Sequence, residues 1–178
     1  MQSTDRRFDV KPLLDALRNE CGDAEFGYRM QGFFAHVLVR LGAVMLEVNA
    51  QGHPNVKARM TDHLVIVQVK SAQHGRPSSV FELPSSDLAG IASAGRTKGY
   101  LALLDCAAPV SWVLVDFAVA RQFLNRSVPI DSLRAAQDEQ MSTDCTDEFV
   151  DMVVSAKAQL SALIFPLLAR RAIEGNPI

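Results

Sequence analysis

Apolar and polar residues alternate with a period of two over residues 55–60, as in a strand buried on one face. Val56, Ala58 and Met60 alternate there with Asn55, Lys57 and Arg59. His63 to Lys70 follows as a second strand, rich in Val and Ile. Thr61-Asp62 between them has the composition of a two-residue hairpin turn. Pairing Met60 with His63 then sets Asn55 directly opposite Gln68. Lys70 lies two residues further along on the same face. The other face carries Val56, Ala58, Met60, Val65, Val67 and Val69. A slip of one residue would turn that apolar set toward water, so its burial fixes the register.

Elements with other periods surround the hairpin. From Ala24 to Leu41 the residues Phe26, Met30, Phe33, Phe34, Val37, Leu38 and Leu41 recur near helical spacing, and Gly42 is placed to end that helix. Ala43 to Asn49 reads as a strand, and residues 71–84, rich in Ser, Gly and Pro, as a loop. Ser85 or Ser86 is suited to cap a short helix running to about Ala94, closed by Gly95. Gly99 to Asp105 is a continuous apolar run, as in a strand buried on both faces. Val110 to Phe117 reads as a further strand. Short helices are expected at Val119 to Asn125 and Ser132 to Glu139, separated by Pro129. A long helix is expected from Asp144 to Arg171, striped with Phe149, Val153, Ala156, Leu160, Leu163 and Leu167 and kinked at Pro166. That stripe is expected to pack on the sheet; its alternative use is a homodimer interface.

Pro54-Asn55 followed by Gln68-Val69-Lys70 resembles the PD-(D/E)XK motif of the restriction-endonuclease-like nuclease superfamily. Gly52-His53 ahead of it and Ser71 after it are similar to many members. The order helix, three strands, helix, strand is the αβββαβ core of that superfamily. The resemblance spans residues 24–118. It implies an α/β fold with a mixed central sheet, to which residues 119–173 add C-terminal helices, all in one domain over residues 1–178.

By the same resemblance Asn55 stands at the first acid position, Gln68 at the second, and Lys70 is the retained catalytic lysine. The implied activity is DNA phosphodiester hydrolysis with Mg²⁺ or Mn²⁺ held at Asn55 and Gln68. Carboxylates normally hold such a cation, position the attacking water and neutralise charge. Amide oxygens ligate a hard cation without bringing charge, so Asn55 and Gln68 are expected to impair hydrolysis. Gln31, in the first helix, stands where many relatives carry a metal-assisting Glu. The alternative is a catalytically inactive nuclease-like module that binds DNA or a protein partner. Other acids offer little rescue. Asp62 belongs to the hairpin turn, roughly 20 Å from Asn55 at about 3.3 Å per residue. A turn at Gln51-Gly52 turns Glu47 away from the polar face, and Glu25 suits the helix N-terminus. His53 is read as a turn residue, with a base or a phosphate contact as the alternative.

Charge narrows the partners. The formal net charge is −2, so DNA contacts must come from a local patch. Lys57, Arg59, His74 and Arg76 are the expected nucleic-acid contacts, with Arg96 and Lys98 as contributors. The chain has 178 residues, 48% of them hydrophobic, which suffices for one good core. No apolar run approaches the ~18 residues of a membrane span. Three cysteines without metal-ligand spacing fit a reducing cytoplasm.

Overall fold

The computed structural model describes residues 10–49, 55–71, 77, 79–88, 91, 95–107, 109–141 and 143–155. Two helices open it, α1 (Lys11–Cys21) and α2 (Asp23–Arg40). The first was not expected from the sequence, although Val10, Leu13, Leu14 and Leu17 recur at helical spacing and all are buried. Pro12 sits in its first turn, where a missing N–H costs nothing. Gly22, at φ 81°, separates the two helices, and its N–H donates to Arg18 O at 2.8 Å.

The end of α2 follows the expectation for Gly42. That residue has φ 97°; its N–H donates to Val39 O at 2.9 Å, and the next N–H, of Ala43, reaches back to Leu38 O at 3.0 Å. The pair of bonds is a Schellman motif, which satisfies carbonyls that the helix end would otherwise leave bare.

Among the described residues eight strands follow in two sheets: β1 (Met45–Val48), β2 (Val56–Arg59), β3 (Leu64–Lys70), β4 (Val80–Glu82), β5 (Thr97–Asp105), β6 (Ser111–Asp116), β7 (Ser127–Pro129) and β8 (Thr143–Asp144). The main sheet has six strands in the order β1-β2-β3-β5-β6-β8, and β4 pairs with β7 separately. Only β3 and β5 are parallel; the other neighbours are antiparallel. The molecule is therefore α/β with a mixed central sheet.

Two apolar layers cover this sheet. On one face α1, α2 and α5 (Thr146–Ser155) pack over Val56, Ala58, Val65, Val67, Tyr100, Ala102, Leu104, Trp112 and Leu114. Trp112 lies 5.4 Å and 5.1 Å, ring centre to ring centre, from Phe33 and Phe34. On the other face β4, β7, α3 (Phe117–Ala120) and α4 (Ile130–Arg134) cover Leu101, Leu103, Val113 and Val115. With core on both sides, Gly99 to Asp105 is buried throughout, as its continuous apolar run requires.

Several expected boundaries shift. The loop expected at 71–84 contains β4, and the segment 127–129 that pairs with it is also a strand. The helix expected at 119–125 is α3 followed by a 3-10 turn over Arg121–Phe123. The helix expected at 132–139 is the earlier and shorter α4. Ser85–Leu88 is a 3-10 turn, and the rest of the helix expected there falls largely outside the described residues. So does the part beyond Ser155 of the long C-terminal helix expected from the sequence, with Pro166 and most of its apolar stripe.

Candidate functional site

The hairpin register is the one that alternation required. Val56 pairs with Val67 and Arg59 with Leu64, Met60 N–H donates to His63 O at 2.9 Å, and continuing the ladder sets Asn55 opposite Gln68. Gln68 is opposed in turn by Leu101 on β5, and Lys70 by Leu103. Asn55, Gln68 and Lys70 thus share the face of the sheet that the β4–β7 layer covers further along. Asn55 and Gln68 are buried, at 8% and 4% exposure, and Lys70 is half-buried. A buried amide needs hydrogen bonds, and Asn55 Oδ1 accepts one from Val69 N–H at 3.0 Å. The side chain thereby ties the start of β2 to the end of β3.

Lys70 occupies the C-terminal end of the parallel pair β3–β5, where open α/β sheets tend to place ligands. At the end of the neighbouring strand is a carboxylate that sequence reading passed over as the close of an apolar run. Asp105 lies two residues beyond Leu103, on the same face as Lys70. It is buried at 7% exposure, accepts Ala107 N–H at 2.9 Å, and forms an ion pair with Arg134. The signal for it was the placement of an acid as the last residue of a strand buried on both faces.

Other expected residues are redistributed. Glu47 pairs with Lys57, and their side chains meet at 3.6 Å. It therefore faces the polar side of the hairpin, against expectation. A two-residue turn at Gln51-Gly52 would pair Glu47 with Val56; the observed register is one residue further on, and one residue reverses the face. Gln31 is buried on α2, with its Oε1 unbonded among the described residues. That helix packs against the opposite face of the sheet, so Gln31 is not grouped with Asn55 and Gln68. Arg59 sits at the other end of the hairpin from Lys70: six residue-to-residue steps along β3 take Leu64, its partner, to Lys70, roughly 20 Å at about 3.3 Å each. His53, His74 and Arg76 lie outside the described residues.

As a seat for Mg²⁺ or Mn²⁺ these donors fit poorly. Asn55 and Gln68 are uncharged amides, Lys70 is itself a cation, and one lone pair of Asn55 Oδ1 is already engaged by Val69. Among the described residues no group of three or more His, Cys, Asp or Glu is placed to hold a metal ion. What the arrangement offers is an ammonium beside hydrogen-bonding amides, which suits contact with a phosphate group. No helix among the described residues is long and apolar enough to cross a membrane. No protein-family model, curated protein or solved structure matches the chain.

Proposed function

We propose that the chain is a nuclease-type domain of the restriction-endonuclease-like kind, which engages DNA at Lys70 and whose phosphodiester hydrolysis is impaired by Asn55 and Gln68. The observation that carries this reading is the juxtaposition of Asn55, Gln68 and Lys70 on one face, at the C-terminal end of a parallel strand pair. In this reading the Lys70 ammonium holds a backbone phosphate. The Gln68 and Asn55 amides orient the polar surface beside it without the charge that a divalent cation demands. Asn55 also has a plain structural task. An aspartate could accept the same Val69 N–H, so an acid at this position is compatible with the local fold.

The engaged oxygen of Asn55 favours a second reading, in which the domain holds DNA without cutting it. Both readings require Lys70 to contact the backbone. Duplex binding followed by fluorescence anisotropy across a salt series tests that requirement. Lys70→Ala is expected to weaken binding on every sequence and to reduce the salt slope by about 1. Unchanged affinity and slope in Lys70→Ala would remove DNA from this site.

A further inference from the structure

At the turn end of the hairpin, remote from Lys70, a pocket of about 370 Å³ opens between the β2–β3 turn and the start of β5. Arg59, Asp62, His63, Leu64, Arg96 and Thr97 are among its lining residues. Its size falls near the lower end of the roughly 300–1,000 Å³ that small-molecule sites occupy.

The sheet itself brings the two arginines together. Arg59 pairs with Leu64 across the hairpin. Leu64 in turn pairs with Thr97 and donates its N–H to Arg96 O at 2.9 Å. Three adjacent strands therefore deliver two guanidiniums to one opening. Elsewhere Arg18, Arg29, Arg40 and Arg134 each pair with a carboxylate. Arg59 and Arg96 pair with none among the described residues, although Asp62 lines the same pocket. That carboxylate is committed to His63, whose Nδ1 lies 2.5 Å from its Oδ1. This hydrogen bond holds the Asp62 carboxyl below its ordinary value, so it remains ionised and anchored to the imidazole. The bond also assigns the proton to Nδ1. His63 Nε2 is buried and has no hydrogen-bond partner among the described residues.

We propose that this pocket is a binding site for a phosphate-class oxyanion, held by Arg59 and Arg96 with His63 at its wall. Guanidinium groups match the geometry of phosphate through paired N–H donors. An oxyanion would relieve two like charges, neither of which is in direct contact with a carboxylate among the described residues. The site is distinct from the one at Lys70 and does not depend on the nuclease reading. A free phosphate and a nucleic-acid backbone present the same chemistry to it, and the two sources are separable by experiment.

The test is calorimetric titration of the full chain with inorganic phosphate, pyrophosphate and a short single-stranded oligonucleotide. The variants are Arg59→Gln, Arg96→Gln and Lys70→Ala, with circular dichroism to confirm that each folds. Both arginines are exposed, so their replacement should leave the core intact. Saturable binding of phosphate or pyrophosphate that weakens about tenfold or more in each arginine variant and persists in Lys70→Ala is the expected result. A response to phosphate and pyrophosphate identifies a site for small phosphorylated ligands. A response to the oligonucleotide alone, with the same dependence on Arg59 and Arg96, identifies a second contact for a nucleic-acid strand. Absence of binding by all three probes, or binding indifferent to both arginines, overturns the proposal. Neither of those outcomes bears on Lys70, whose role is read from duplex affinity.

Discussion

Asn55 and Gln31 are both buried amides, yet their surroundings give them different meanings. Asn55 bonds the backbone of the adjacent strand through its Oδ1 and lies in line with Gln68 and Lys70. Gln31 has an unbonded Oε1 and belongs to a helix packed on the reverse of the sheet. An unsatisfied buried acceptor costs about 1–3 kcal/mol. Gln31→Met, which keeps the volume and drops the amide, is therefore expected to raise stability by about 1 kcal/mol in urea denaturation while leaving DNA affinity unchanged. A loss of affinity with stability intact would return Gln31 to the site. Residue type alone did not separate these amides; Asn55 was legible because strand alternation fixes its face. Asp105 was not read as a candidate because an acid closing an apolar run looks like a strand end until its neighbour across β3 is known.

Among the elements, α1 excepted, those fixed by local pattern were read correctly, whereas the shortest strands, fixed by distant pairing, were not. The β2–β3 register and the close of α2 each follow from a few adjacent residues. By contrast β4 and β7 have three residues each and are defined by pairing with one another, and β8 has two residues against β6. Such segments carry too few side chains to show a period. The face of Glu47 was misassigned because it depends on the length of the connection between β1 and β2 rather than on alternation within either strand. At the close of α2, Gly42 holds φ 97° with nothing within 4 Å of where a Cβ would be. Gly42→Ala should then cost only the left-handed backbone penalty, about 1 kcal/mol, seen as a lower urea midpoint with an unchanged m-value. A loss several times larger would mean that the cap is crowded as well as strained.

For the whole molecule, two apolar layers on one mixed sheet leave a turn end with arginines and a strand end with Lys70 and Asp105. The same burial shapes its response to pH. Desolvation holds the Cys145 thiol well above its ordinary value of 9.0, with Glu148 and Asp144 adding to the effect. Burial and the hydrogen bond to Asp138 likewise raise the Tyr100 phenol above 10.0. In the unfolded chain both groups lose protons at their ordinary values, while the folded state keeps them. Folding stability should therefore be unaffected by these groups below pH 9 and fall as pH rises beyond it, by up to about 1.4 kcal/mol per pH unit for each group. Denaturant titrations between pH 8 and 11 check this, and a flat profile would show that neither proton is retained.

In the proposed reading Asn55, Gln68 and Lys70 form a nuclease-type site lacking its acids. The most direct measurement is plasmid cleavage with Mg²⁺ or Mn²⁺ by the native chain, by Asn55→Asp alone and with Gln68→Glu, and by each acid-restored variant carrying Lys70→Ala. The expected result is feeble or no cutting by the native chain, clear metal-dependent cutting once acid is restored, and its loss with Lys70→Ala. Folded acid-restored variants that still do not cut, or that cut equally well without Lys70, would contradict the account.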